Sequence, residues 1–486
     1  MRRLGQLAER TPAGRERYVD LLRALAITMV VAGHWGVTVL GRDPAGRPTG
    51  HSALADLPWA YPLTWLAQVM PVFFLVGGYA NAASLTRHRA RGGDAAGWLL
   101  DRSARLVRPT SALLLVLTVA AALGRLLGTD PTHLRTVIWY ATIPLWFLVA
   151  YLLVVALTPP MYTLHRRYGL AVPLALVALV ALGDLGRLTG PATLAAGNYL
   201  FGWLAVHQLG FAWYDARTPT TGPPSGPSGP SEPSETAPPD RAETPVPHPP
   251  SGSDRPGVRR RRLPTSRPTA LALLVGGLAA LILLTVVGPW PVAMLKVPGE
   301  RLDNASPPSL ALLALAAAQL GLILLLRAPA RRWLRRPRPW RVVIAVNLVV
   351  LTAFLWHLTA AVLLIGLLDA IGLLPTPQVG SAAWWGWRVP WLLLLAAVLA
   401  VLVAVFGPIE TRSARHRTGR RSGRAGRVRA ALTVAGYAAV IGGLLVNSAT
   451  PKAAPEPLGT PVPALVAYLA GAGVLRLLRS GWGSRG

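Results

Sequence analysis

The residues with the clearest chemical potential lie in the first apolar stretch of the chain. Arg23 and His34 fall within residues 18–40, a stretch long enough to cross a bilayer. They are 11 residues apart, and at about 100° per residue a helix returns to within roughly 20° of the same direction, about 16 Å further along. One helical stripe is therefore predicted to carry a permanent cation and a titratable imidazole. A neutral imidazole can accept a proton from a hydroxyl, and a guanidinium can bind phosphate or carboxylate.

A histidine that only hydrogen-bonds within a helix bundle explains this spacing equally well. Asp20 lies three residues before Arg23, so the two side chains can form an ion pair on one helix face or extend toward the membrane surface. A second pair of arginines, Arg102 and Arg105, opens the third apolar stretch. Arginines three apart share a helix face and make an anion site at a membrane surface, although ordinary loop charge is the alternative.

Four further residues are candidates for the wall of a pocket. Gly78 follows another glycine in the second apolar stretch, next to Phe74, and paired glycines let a helix or a ligand approach the backbone closely. Trp146 lies in an aromatic segment that suits either helix packing or a pocket wall. His357 lies about as deep in its apolar stretch as His34 does, which predicts two imidazoles at one level of the bundle.

These residues must be positioned by elements that reside in lipid. The chain is 52% apolar and only 14% charged, its mean hydropathy is +0.43, and soluble domains usually carry about a quarter charged residues. The net charge of +29 comes from arginines in short runs between apolar stretches, which disfavours nucleic acid as a partner. The absence of cysteine excludes disulfides and thiolate chemistry. The scattered histidines predict no metal site.

Twelve apolar stretches are long enough to be membrane spans, and the predicted fold is an all-α polytopic bundle of about ten core helices plus two C-terminal spans. Most arginines fall on one side if all twelve cross, which predicts a cytoplasmic N-terminus. The last stretch could instead lie at the interface. The predicted spans are residues 18–40, 63–85, 104–127, 137–158, 170–186, 193–214, 269–288, 309–326, 342–368, 391–408, 430–448 and 463–478.

The chain divides into two membrane blocks and two basic segments. Residues 1–215 form an N-terminal block of six spans that carries most of the chemical candidates, and residues 269–408 form a second block of four. Residues 216–268 are rich in Pro, Ser and Arg and predict a disordered cytoplasmic linker. Residues 409–486 hold a basic loop and the two additional spans.

Together these segments resemble the acyltransferase-3 family of integral membrane acyltransferases. The resemblance covers roughly residues 15–408 and rests on the order and spacing of its motifs. Gly77 stands where the family usually has Ser, Pro109 comes one position later than expected, and no soluble hydrolase-like domain is attached. The matching segments are DLLRALAI at residues 20–27 with Arg23, then His34, FFLVGG at residues 73–78, Arg102 with Arg105, Trp146 and the late His357.

The resemblance implies an enzyme that moves an acyl group from acyl-coenzyme A to a hydroxyl of a carbohydrate, cell-envelope glycan, lipid or small molecule. His34 would act as general base or contact the acyl carbonyl, and Arg23, Arg102 and Arg105 would hold the acyl donor, a co-substrate that is supplied from the cytoplasm. No bound cofactor is implied. The resemblance leaves open whether the acyl group first rests on His34.

Two other classes of function fit parts of the sequence. In a multi-pass transporter or flippase, intramembrane Arg and His would be substrate or proton sites. In a non-enzymatic membrane regulator, the linker would recruit partners. The abundance of Ala, Arg, Gly and Pro with little Lys favours a bacterial origin, and hence the cell membrane of a bacterium as the location.

Overall fold

The computed structural model describes residues 15–42, 46–190, 192–217, 262–411 and 424–480. The first half contains helices α1 (Arg17–Val37), α2 (Thr64–Ala67), α3 (Met70–Ala90), α4 (Ala95–Leu126), α5 (Pro131–Thr142), α6 (Leu145–Tyr168), α7 (Ala171–Thr189) and α8 (Asn198–Asp215). The second half contains α9 (Arg267–Ile282), α10 (Leu310–Trp333), α11 (Pro337–Leu348), α12 (Val350–Ala370), α13 (Ala382–Thr411), α14 (Arg424–Ala449) and α15 (Val462–Arg479). The predicted all-α polytopic fold is confirmed.

Eleven helices in the described ranges are long and apolar enough to cross a membrane, so the chain is a multi-pass membrane protein. The predicted span 193–214 corresponds to α8, which is not among the eleven. Its polar side chains explain the difference, because Asn198, His207 and Gln208 lower its mean hydropathy yet are fully buried in the bundle. Most of the predicted linker, residues 218–261, lies outside the described residues.

Several helices begin at side chains that accept a hydrogen bond from the first-turn backbone. Asp94 accepts from Gly97 N at 2.8 Å before α4, and Asp130 accepts from His133 N at 2.9 Å before α5. Ser309 does the same for α10, accepting from Leu312 N at 3.2 Å. Each cap satisfies one of the backbone donors that a helix start leaves unpaired.

Two predicted spans are each divided into a short helix and a long one. The predicted span 137–158 is broken after α5, and α6 begins behind Pro144. The predicted span 342–368 is broken at Val349, whose ψ of 15° interrupts the helix between α11 and α12. The second break exposes the backbone N–H groups at the start of α12, and Glu410 accepts hydrogen bonds from them.

A small β-hairpin and the hydrogen bonds of two tryptophans fix the C-terminal end of α1. Strands β1 (Thr38–Arg42) and β2 (Pro48–Ser52) pair antiparallel directly after α1, and Arg42 forms a 2.7 Å ion pair with Asp369 at the end of α12. Trp35 Nε1 donates to the carbonyl of His357 at 2.9 Å, and Trp391 Nε1 donates to the carbonyl of Trp35 at 3.3 Å. These bonds join α1, α12 and α13 at one level.

The C-terminal hairpin α14–α15 packs against α4 and α6 of the bundle. Its loop is held by Arg135 of α5, which is fully buried. The Arg135 guanidinium donates to the carbonyls of Asn447, Thr450, Pro451 and Gly459 and to the Asn447 side chain, over 2.6–3.2 Å. Because all these partners lie in the hairpin, Arg135 ties it to the bundle.

Candidate active site

Three arginines from two distant helices meet in one cavity. Arg23 of α1 and Arg102 and Arg105 of α4 all line a cavity of about 380 Å³, which is within the usual range for small-molecule sites. The sequence predicted all three as anion contacts, and the fold brings them together. The one acidic side chain among the described lining residues is Glu410.

Two of the three cavity arginines have a partner that orients them. Asp20, itself buried, lies 3.5 Å from Arg23 and accepts from Arg15 Nε at 2.6 Å. Arg102 donates to the Tyr151 hydroxyl at 3.3 Å. Asp20 thus directs Arg23 without lining the cavity.

Glu410 does not cancel the positive charge of the arginines, because its carboxylate accepts hydrogen bonds at the start of α12. It accepts from the backbone N–H groups of Leu351 at 3.2 Å and Thr352 at 2.8 Å, and from the Thr352 hydroxyl at 2.7 Å. The partial positive charge of a helix N-terminus favours a carboxylate there. The cavity therefore keeps a net positive field that suits an anionic ligand.

Aromatic side chains also line the cavity. Phe147 is the centre of this group, with ring centroids 5.5 Å from Phe73, 5.8 Å from Tyr151 and 5.3 Å from Phe354. All four residues line the cavity. The cavity lining thus contains both guanidinium groups and aromatic rings, which suits a ligand with a charged part and an apolar part.

The two histidines predicted at one level form a direct hydrogen bond. His34 Nδ1 and His357 Nε2 are 2.7 Å apart, and the ring planes differ by only 3° with centroids 5.0 Å apart. His357 is fully buried, whereas His34 is partly exposed. The pair therefore has an inner member and an outer member.

The bonding partners define which nitrogen of the outer histidine is free. His357 Nδ1 lies 2.6 Å from the Phe354 carbonyl, and a carbonyl oxygen only accepts, so this nitrogen carries hydrogen. In a neutral His357 the other nitrogen, Nε2, is then an acceptor, and His34 Nδ1 must donate to it. We assign the hydrogens from these partners. His34 Nε2 keeps its lone pair and can act as a base.

The site consists of two parts that share Phe354. His34 does not appear among the described residues lining the arginine cavity, and it lies about 16 Å beyond Arg23 along α1 by helical rise. The ring of Phe354 lines that cavity, while its carbonyl fixes the ring of His357. The same residue thus contacts the anion cavity and orients the histidine pair.

Three residues that were predicted to line a pocket do not line this cavity, although a residue adjacent to each of them in the sequence does. Phe74 is fully buried and stacks on Trp203 at 4.5 Å, and its neighbour Phe73 lines the cavity. Likewise, Trp146 does not line the cavity, whereas its neighbour Phe147 does. Gly78 lies where α3 meets α8, since a Cβ there would come within 2.0 Å of the His207 carbonyl oxygen. It is the neighbouring Gly77 that lines the cavity.

Sequence reasoning missed Tyr151, Asn347 and Glu410 of the cavity. Glu410 gave a signal that could have been used, because an acid at the end of a long apolar helix is costly unless it has a partner. The position of Tyr151 explains why residue 77 is glycine and not the serine expected there. A Cβ at Gly77 would approach the Tyr151 ring to 3.0 Å, so the glycine makes room for that tyrosine.

A family model described as an acyltransferase domain matches residues 16–407. Comparison with curated proteins gave no match, and comparison with solved structures gave none either. The matched range contains all three cavity arginines and both histidines. Glu410 and the hairpin α14–α15 lie beyond it.

Proposed function

The chain belongs to the acyltransferase-3 family, and from this premise we propose that it transfers an acyl group, acetyl or similar, from acyl-coenzyme A to a hydroxyl of a carbohydrate, cell-envelope glycan or related acceptor. One observation carries the proposal. Arg23, Arg102 and Arg105 converge on one cavity, and the same helix that supplies Arg23 carries the free imidazole nitrogen of His34 about 16 Å further along.

Coenzyme A suits this arrangement because it joins several phosphates to a thioester through a flexible arm. Guanidinium groups bind phosphate through paired hydrogen bonds, and three of them in one cavity would bind it together. The aromatic wall beside them would contact the less polar arm. The thioester would then extend along α1 toward His34.

His34 Nε2 would act as the general base. It takes the proton of the acceptor hydroxyl while that oxygen attacks the thioester carbonyl, and it returns the proton to the coenzyme A sulfur as the carbon–sulfur bond breaks. The products are an ester and free coenzyme A. His357 accepts the hydrogen bond from His34 Nδ1 throughout, which stabilises the imidazolium that forms between the two proton transfers.

A covalent route uses the same nitrogen, since His34 Nε2 could accept the acyl group before the acceptor hydroxyl does. Rapid denaturation at neutral pH of the enzyme incubated with radiolabelled acetyl-coenzyme A separates the two routes, because an acyl-imidazole hydrolyses quickly in acid. Label that stays on the protein in the absence of acceptor, and that is lost when acceptor is added, supports the covalent route. No label on the protein in the absence of acceptor supports direct transfer.

We further propose that the arginine cavity faces the cytoplasm of a bacterial cell and that the N-terminus is cytoplasmic, because arginine-rich segments are retained on that side. The donor would enter from the cytoplasm. An acceptor that reached His34 from the opposite side would make the reaction a transfer across the bilayer.

The first experiment measures thiol release from acetyl-coenzyme A by the purified protein in nanodiscs, offered a panel of sugar acceptors. His34→Ala should reduce acceptor-dependent release by at least about 100-fold, since a general base contributes roughly 10²–10⁴-fold. Arg102→Ala should raise the KM for acetyl-coenzyme A. Matched controls are His133→Ala and Arg89→Ala, which are outside the described site.

The results separate the enzyme from its rivals. Thiol release by the wild type and both controls, with loss in His34→Ala, supports the acyltransferase. A folded wild type that neither binds nor cleaves any acyl-coenzyme A overturns the proposal, and transport across vesicle membranes becomes the next test.

A further inference from the structure

A second and larger cavity, of about 760 Å³, lies between α4 and the C-terminal helix α15. It shares no lining residue with the arginine cavity described above. Much of its wall is supplied by α15, which lies beyond the range matched by the family model.

The cavity lining combines positive charge with an apolar surface. Arg108 of α4 and Arg476 and Arg479 of α15 all line it, and none of the described lining residues carries a negative charge. Arg476 and Arg479 are three residues apart and share a face of α15. Away from the arginines the lining continues along the two helices as apolar side chains, which include Leu115 and Leu469.

This cavity is open to the surface of the bundle. Leu115 is 49% exposed, and a Cβ placed on Gly473 would meet no atom within 4 Å. Tyr468 fixes the two helices behind the opening, because its hydroxyl donates to the Val107 carbonyl at 3.0 Å and lies 3.1 Å from the Ser111 hydroxyl. The opening is thus a groove between α4 and α15 at the exposed surface of the bundle.

We propose that this groove binds one anionic phospholipid, with the phosphate at Arg108, Arg476 and Arg479 and an acyl chain along Leu115 and Leu469. Charge complementarity selects an anionic headgroup, since a zwitterionic one would bring its own cation toward three arginines. The apolar part selects a lipid over a free phosphate, because only a chain would cover that surface.

Bound lipid would act on the acyl-donor cavity through α4 and α13, a consequence that rests on the proposed function. Arg105 of α4 lines the donor cavity, while Arg108, one turn later, lines the groove. At the end of α13, Ile409 lines the groove and the adjacent Glu410 lines the donor cavity. A lipid bound in the groove would restrain both helices at the positions next to those that line the donor cavity.

Native mass spectrometry tests the binding on the full chain in nanodiscs of mixed phosphatidylglycerol and phosphatidylcholine. The wild type should retain phosphatidylglycerol in preference to phosphatidylcholine. Replacing Arg476 and Arg479 together by Ala should weaken that preference by about fivefold for each arginine removed. Arg427→Ala is the matched control, since Arg427 is an exposed arginine on the neighbouring helix α14.

A second variant keeps every charge and fills the apolar part. Gly473→Leu should displace the lipid while the melting temperature in detergent stays close to that of the wild type. Equal retention of both lipids by the wild type, or unchanged preference in both variants, overturns the proposal. So does release of the lipid by glycerol phosphate at matched concentration, which would show an anion site without a role for the chain.

Displacement by acetyl-coenzyme A would also overturn the proposal, because the groove would then belong to the donor site. The lipid measurement needs no catalytic turnover, so it stands if the acyltransferase assay fails. If both succeed, thiol release should rise with the phosphatidylglycerol content of the nanodisc in the wild type and not in the double arginine variant.

Discussion

Removal of the inner histidine is the sharpest test of the proposed base. His357→Ala takes away the acceptor for His34 Nδ1, a contact of 2.7 Å, and leaves the arginine cavity untouched, since His357 does not line it. During the reaction the donor of this bond is an imidazolium. A hydrogen bond to a charged group contributes about 1.5–3 kcal/mol, which corresponds to a factor of roughly 10–150 in rate.

We therefore expect kcat to fall by about 10- to 150-fold in His357→Ala while the KM for acyl-coenzyme A changes by less than about threefold. His357→Gln should recover part of the rate, because its amide oxygen can accept the same bond. The assay is thiol release over a range of acyl-coenzyme A concentrations at saturating acceptor.

The control removes another fully buried histidine of the same bundle. His207 of α8 is bonded to Asn81 at 3.1 Å and lies outside the site, so His207→Ala should lower stability and leave kcat per folded molecule unchanged. A KM effect without a kcat effect in His357→Ala would place this residue in donor binding and refute the relay. An equal loss in both variants would refute it too.

The remaining predictions concern the donor cavity and the helices that build it. Arg102→Lys keeps the charge but loses the planar fork, so the KM for acyl-coenzyme A should rise about tenfold with little change in kcat, measured by initial rates. Glu410→Ala leaves the first N–H groups of α12 unpaired and should cost about 1–3 kcal/mol of stability, measured by thermal unfolding in detergent. Gly78→Ala forces a Cβ to within 2.0 Å of the His207 carbonyl oxygen and should also cost about 1–3 kcal/mol.

The Glu410 and Gly78 predictions each have a matched comparison. Glu410→Gln retains an acceptor and should be milder than Glu410→Ala. Gly276→Ala, where a Cβ would meet no atom within 4 Å, should be neutral or slightly stabilising, since Ala is a better helix former than Gly. An unchanged KM in Arg102→Lys, or similar melting of the Gly78 and Gly276 variants, would contradict the corresponding argument.

The features that the sequence predicts most directly are local ones. The stripe of Arg23 and His34 follows from the period of a single helix, and the spacing of Arg102 and Arg105 follows from the same period. The all-α membrane fold follows from apolar stretches of sufficient length. None of these inferences needs to know which helices are neighbours.

The rest depends on how distant helices pack. His34 and His357 are 323 positions apart, and sequence predicted only their common depth. The choice between Phe73 and Phe74 is a rotation of about 100° on α3, which apolar patterning cannot settle when both faces are covered by other helices. The role of Glu410 depends on a break in the preceding helix pair that only the packed structure reveals.

The separation of the site into two parts has a physical reason. A guanidinium is always charged and is expensive deep in a membrane protein, whereas a neutral imidazole is much less so. Asp20 beside Arg23 and Tyr151 beside Arg102 reduce this cost within the arginine cavity. A base that is neutral at rest avoids this cost, and a second imidazole satisfies its Nδ1 without adding a charge. The neutral, hydrogen-bonded form of the histidine pair is then the ground state from which transfer would begin.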